Sequence, residues 1–275
     1  DPERELVIRI PANVEACLSI GLDPLEWIRQ GIVDVLAPEG VEGQSLDPMT
    51  NFLPFVEAVR GSKCRVVATL NSKVDSDRIG DGTVENVRAA ASNYWAQGVD
   101  GLYLSQWFVD WPYKSSFYSK LRELPYPDIM ATKDKVYSML TRIGTDSQIE
   151  TSHSNNAILP IPVEMDKPST LNFTISDDLL RWNKVGRVHE VLLRIGIGGT
   201  ELDLLSFKLN NTDLPNSILR KINQLYRMAG PRHRSGPNYW FIFRLEKNHW
   251  PLPGKNTLEI TLIESDDNST HSVSI

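Results

Sequence analysis

Few residues in this 275-residue chain combine a reactive side chain with a position that could use it. Glu39 is one. It is the only carboxylate in the first half that directly follows an apolar strand-like run, Ile32 to Leu36, and from there it could act as nucleophile or as acid. Pro38-Glu39-Gly40 also reads as an ordinary turn carrying a solvated glutamate, and both readings stand. Asp47 precedes Pro48 and reads as a helix start. Arg9 lies amid Val7, Ile8 and Ile10, where a buried guanidinium is costly unless paired. It is expected to meet a carboxylate from a strand outside this chain or from a substrate, as a structural pair or as a ligand contact. Asn71, Gln106, Trp107 and Trp111 complete the set. Amides bond sugar hydroxyls in pairs and indoles stack on the apolar face of a pyranose, whereas packing under a loop is the other use of the two tryptophans.

Several chemistries are excluded. All five histidines, His153, His189, His233, His249 and His271, fall in the second half without a metal-ligand spacing. A Ser-His-Asp triad confined to the first half is therefore ruled out, and neither a metal nor a cofactor is expected. Cys17 and Cys64 read as two buried free thiols, because nothing in their spacing calls for a bridge. Residues 1–150 carry 15 Lys/Arg against 22 Asp/Glu, and residues 151–275 carry 14 against 13, so neither half offers the basic field that nucleic acid requires. No apolar run approaches the roughly 20 residues needed to span a bilayer. Asn172-Phe-Thr, Asn210-Asn-Thr and Asn268-Ser-Thr match the N-glycosylation pattern, which points weakly to an extracellular, secreted protein. The start at Asp1, without Met or a signal segment, fits a processed product or a fragment.

The elements that must position these residues repeat one beat. Leu6 to Ile10 is a strand closed by Pro11. Asp23 as N-cap, Pro24 at the first helical position, Glu26 completing a capping box and Gly31 as stop define a helix, and Ile32 to Leu36 follows as a strand. A helix around Phe52 to Arg60 ends at Gly61, before a third strand, Cys64 to Leu70. Asn71 to Thr83 is a long polar loop. In AAASNYWAQGVDGLYLSQW (89–107), Ala90, Ala91, Tyr94 and Trp95 share one helical face, Gly98 stops the helix, and Val99 to Leu104 is a fourth strand. A last helix is expected within Trp111 to Gly144, with Met130 to Ile143 as its end.

Strand starts about 30 residues apart are the spacing of βα units, and four in series imply a parallel sheet with right-handed crossovers. The polar stretch Thr145 to Asn156 reads as a linker. Short alternating runs follow at Ile158 to Val163, Ser169 to Ile175, Val188 to Ile197, Asp203 to Leu209, Tyr239 to Leu245 and Thr257 to Ile263. The expected fold is α/β plus all-β. Residues 1–150 would form about the last four βα units of a (β/α)8-type barrel, and residues 151–275 an antiparallel β-sandwich or jelly roll. Trp182, Tyr239, Trp240 and Trp250 could form a sugar-binding face there, although alternation within YWFIF (239–243) favours the core or its flank.

The phrases Arg9-Ile-Pro-Ala, GLDPLEWIRQGIVDVLAP (21–38) and NYWAQGVDGLYL (93–104), with LREL (121–124) and Lys133-Asp-Lys, resemble the bacterial-type glycosyl hydrolase family 10-like barrels. FKLNNTDL (207–214) and LPGKNTLEITL (252–262) are similar to the accessory domain that such proteins carry. The resemblance implies a (β/α)8 barrel acting on a carbohydrate substrate or ligand, in a cleft at the carboxyl ends of the strands. It also implies that the first four strands, with one catalytic carboxylate, lie outside this chain. Where family members have Phe-Asn after the last strand, this chain has Ser105-Gln106. Glycoside hydrolysis needs two carboxyl groups, and Glu39 is the candidate for one of them. A non-catalytic protein that binds glycans or partners through a barrel remnant and a sandwich is the alternative.

Overall fold

A computed structural model describes residues 4–40, 46–71, 73–74, 80–81, 83–105, 115–140, 159–223, 238–265 and 272–275. The chain divides into two compact units, Asp1–Ile158 and Leu159–Ile275. The linker expected at Thr145 to Asn156 lies outside the described residues.

The first unit is mixed α/β. Strand β1 (Val7–Pro11) leads to a short helix, α1 (Val14–Ser19). Asn13 caps it by accepting from the Ala16 N–H at 2.8 Å. Helix α2 (Pro24–Gln30) starts as anticipated, with Asp23 accepting from the Glu26 N–H, and stops at Gly31 in the left-handed region. The Glu26 carboxylate does not complete a capping box but takes bonds from Arg29 and Gln30, one turn on.

Strand β2 (Val35–Glu39) sits three residues later than the apolar run suggested. Ile32 is instead 49% exposed in the turn after Gly31. Helix α3 (Leu53–Ala58), strand β3 (Arg65–Leu70) and a small hairpin of β4 (Lys73–Val74) and β5 (Gly80–Asp81) follow. Helix α4 (Val84–Ala96) carries the true capping box, Thr83 with Asn86, and leads to strand β6 (Gly101–Leu104).

The four strands form one parallel sheet in chain order, β1-β2-β3-β6. One face packs on the helices. Ile10, Leu36, Val66, Ala68 and Leu70 meet Phe52, Phe55, Val87, Ala90, Ala91 and Tyr94 in a single cluster. Each large aliphatic side chain buried there contributes on the order of 1.5–3 kcal/mol. The alanines of α4 leave room for the helix to approach, and Tyr94 closes edge-to-face on Phe52, with ring centroids 4.7 Å apart.

Helix α5 (Ser115–Glu123) and the single turn α6 (Pro127–Met130) are the last helices of the unit among the described residues. The helix anticipated to run on from Met130 is corrected, because residues 132–140 run without helix beside α4. The Val136 N–H donates to the Glu85 carbonyl at 3.1 Å, Asn86 Nδ2 donates to the Val136 carbonyl, and Arg88 reaches the Asp134 carbonyl. These bonds to α4 replace the ones a helix would have made internally.

The second unit is built from antiparallel sheets. One contains β7 (Ser169–Ile175), β9 (Leu204–Leu209), β10 (Thr212–Asp213) and β13 (Gly254–Glu264). The other contains β8 (Leu192–Gly198), β11 (Leu219–Asn223) and β12 (Asn238–Arg244). Phe207 of β9 lies 5.2 Å from Phe241 and 5.0 Å from Phe243 of β12, so rings from the two sheets share one core. Helix α7 (Leu179–Lys184) and strand β11 are elements that the sequence pattern does not announce. Of the strand anticipated at 158–163, residues 159–163 are described: Ile161 exchanges backbone bonds with Ile275, the Val163 N–H donates to the Val273 carbonyl at 2.9 Å, and Pro162 bridges Ser274.

Candidate functional site

Polar groups gather at the carboxyl end of the parallel sheet because successive residues of a strand alternate in face. On β1 and β2 the odd-numbered residues Arg9, Ala37 and Glu39 share the face opposite the helices, whereas Ile10 and Leu36 join the helix-side core. The register sets Arg9 beside Ala37 and Pro11 beside Glu39. Arg9 and Glu39 are thus diagonal neighbours.

A proline decides why Glu39 belongs to the strand. The Val35 N–H donates to the Leu6 carbonyl and the Glu39 carbonyl accepts from the Ala12 N–H at 2.7 Å, so odd-numbered residues of β2 bond towards β1. The N–H that Pro38 lacks would point towards β3, where the paired register stops at Leu36 with Val66. Pro38 ends one ladder and leaves the other running to Glu39.

Glu39 is held at both oxygens. Arg9 Nε lies 3.1 Å from Oε2, and Ser105 Oγ donates to Oε1 at 3.3 Å. The Glu39 side chain is 16% exposed and that of Arg9 52%. Strand β1 is an edge strand among the described residues, and its Val7 is 50% exposed. The expectation that Arg9 is buried and paired from outside the chain is therefore corrected: its partner is Glu39 on the adjacent strand. Ser105 follows β6 directly, and its N–H donates to the Leu70 carbonyl at 3.2 Å, which fixes the hydroxyl at this end of the sheet.

Thr69 and Asn71 occupy the same end of β3, and both are buried. Thr69 Oγ1 donates to the Ala37 carbonyl at 3.4 Å. Among the anticipated residues, the structure joins Arg9 to Glu39 and sets Asn71 at the end of the neighbouring strand β3. Gln106, Trp107 and Trp111 lie outside the described residues. Ser105 stands in the sequence with Gln106, Trp107 and Trp111 directly after the fourth strand, where ligands are expected, whereas nothing in the sequence singles out Thr69. The available signal for Ser105 was its place directly after a predicted strand.

Helix α4 fixes the chain beyond Glu39. Tyr94 Oη donates to the Asp47 carbonyl at 2.7 Å, Asn93 Nδ2 to the Pro48 carbonyl, and Gln97 Nε2 to the Thr50 carbonyl. Gln97 Oε1 accepts from the Phe52 N–H at 2.7 Å. Burial pushes the Tyr94 hydroxyl well above its ordinary titration range, so it stays a neutral donor. Asp47 is 2% exposed and accepts from the Met49 N–H and the Thr50 hydroxyl, so it caps the turn before α3.

The arrangement offers one ion-paired carboxylate, one guanidinium and buried hydroxyl and amide groups. An ion-paired carboxylate accepts hydrogen bonds, which suits a nucleophile or base and leaves the acid role unassigned. The partners of Glu39 among the described residues are a guanidinium and a hydroxyl rather than a second carboxyl group. No group of three or more His, Cys, Asp or Glu that could hold a metal ion occurs among the described residues. No helix among them is long and apolar enough to cross a membrane.

Comparison with known proteins leaves the chain without an assigned family. No family model matches it, and neither does any curated protein.

Proposed function

We propose that this is a glycoside-hydrolase-like, carbohydrate-directed protein, with Glu39 as a catalytic carboxylate. In this reading the parallel sheet is half of a (β/α)8 barrel, and the second unit is a β-sandwich accessory domain. Strand order carries the proposal. Consecutive parallel strands in the order β1-β2-β3-β6 share one helix-packed face. A barrel wall would have this arrangement, and in such barrels catalytic groups line the carboxyl ends of the strands.

Arg9 and Ser105 orient the Glu39 carboxylate, and Asn71 with Gln106, Trp107 and Trp111 would bind sugar hydroxyls and ring faces. An extracellular location goes with this reading. Of the three sequons, Asn172 is exposed, whereas Asn210 is tied through Nδ2 to Asn256 and through Oδ1 to the Thr257 N–H.

The second reading is a non-catalytic glycan- or protein-binding protein. Full engagement of Glu39 by Arg9 and Ser105, without a second carboxyl group among those partners, favours it. Reducing-sugar release from a panel of polysaccharides separates the two. Hydrolysis that falls by about a thousandfold or more in Glu39→Gln supports the enzyme. Hydrolysis unchanged by that substitution removes Glu39 from the mechanism, and glycan binding without hydrolysis supports the binder.

A further inference from the structure

The three-stranded sheet of the second unit has an outer face whose composition differs from that of a plain solvated surface. Alternation along β12 sends Phe241 and Phe243 into the core and leaves Trp240, Ile242 and Arg244 on the opposite face. The register supplies their neighbours. Trp240 lies between Gly196 of β8 and Ile222 of β11, and Ile242 lies between Arg194 and Arg220.

The Trp240 ring lies across Gly196. A Cβ added at Gly196 would sit 3.4 Å from two carbons of the indole's six-membered ring, so the glycine makes the space the ring occupies. Trp240 is half-buried, and Arg194 and Arg220 are exposed. Arg194 and Arg220 stand two strand spacings apart, about 9.6 Å, on either side of Ile242 and one row of side chains from the indole. Arg244 on the same face pairs with Glu190 at 3.2 Å.

We propose that this face binds an acidic oligosaccharide, one bearing carboxylate or sulfate groups along a chain of pyranose rings. The indole takes the apolar face of a ring. Arg194 and Arg220 take anionic groups on either side of it, since a guanidinium fork matches the two oxygens of a carboxylate or sulfate. Two exposed cations beside an aromatic platform complement an anionic ligand, and Glu190 is already bound to Arg244. The choice of a saccharide among anions rests on the carbohydrate-directed reading above. The site belongs to the second unit, whereas Glu39 belongs to the first, and the site needs no catalysis.

The test uses the whole chain and follows tryptophan fluorescence and calorimetric binding with three probes: an oligogalacturonate, a neutral xylo-oligosaccharide and inorganic polyphosphate. Oligogalacturonate is expected to bind, to change the fluorescence, and to bind about tenfold more weakly to the Arg194→Gln/Arg220→Gln double variant. Both side chains are exposed, so that variant should fold, and its melting temperature verifies this. Absence of oligogalacturonate binding, or binding undiminished in the double variant, overturns the proposal. Polyphosphate binding as tight as that of oligogalacturonate reduces the site to charge alone and overturns its saccharide specificity. A Glu39→Gln variant run alongside keeps the two readings apart. Binding lost in Glu39→Gln and kept in the double variant leaves the catalytic reading standing and sinks this one, and the reverse pattern spares this one.

Discussion

Arg9 and Glu39, two residues apart in register on adjacent parallel strands, form an ion pair of 3.1 Å at the carboxyl end of the sheet. The Arg9 side chain is half exposed, so water screens the pair and its net contribution to stability is small. Glu39→Gln is expected to change unfolding free energy by less than about 1 kcal/mol in a urea titration. A larger loss would make the pair structural and weaken its claim to a functional role.

A different carboxylate carries structure. Glu123 on α5 accepts from Arg88 of α4 at 2.6 Å and also from Lys133, and its side chain is 12% exposed. The Arg88 bond, with help from Lys133, holds its carboxyl below the ordinary glutamate range. Because the folded form binds its proton less readily than the unfolded form, this contribution is complete above the unfolded glutamate value. It is lost as the pH falls through the lower, folded value. Glu123→Gln should cost about 2 kcal/mol at neutral pH, through the uncompensated Arg88, and should flatten the acid limb of stability against pH.

Gly199 has a φ of +72°, and a Cβ placed there would lie 2.2 Å from the Ser272 carbonyl oxygen. Both the backbone conformation and the contact forbid a side chain. Gly199→Ala is expected to destabilise the second unit by about 2 kcal/mol or more, seen as a lowered thermal midpoint, whereas Gly186→Ala meets no neighbouring atom and should cost less.

The two cysteines are free and buried. Burial pushes the Cys17 thiol up to about 11, and burial also raises that of Cys64. Neither should react with a thiol reagent at pH 8 in the folded protein, and both should react once denaturant unfolds it. Rapid native-state labelling of either would mean that this unit opens readily.

The parallel sheet was legible because its punctuation is local. Gly31, Gly61 and Gly98 each take positive φ just after a helix, at 67°, 79° and 85°, and each announces the strand that follows. Strand ends were less legible. The apolar run from Ile32 to Leu36 spans a turn and a strand without a break, and a single missing N–H at Pro38 terminates one ladder but not its neighbour. The partner of Arg9 could not be read at all, because the register between two strands about thirty residues apart in the chain is set by the assembled core. The non-helical course of residues 132–140 was hidden for a similar reason: its bonds go to Glu85, Asn86 and Arg88, which belong to another element.

Under the proposed function, the carboxyl end of the parallel sheet receives a carbohydrate around Glu39. Amide NMR of the whole chain titrated with oligosaccharides tests it most directly. Shifts are expected at the amides of residues 9, 10, 12, 39–40, 69–71 and 105, and they should weaken in Glu39→Ala. Saturating glycan that moves none of these amides, or moves only those of the second unit, would contradict it.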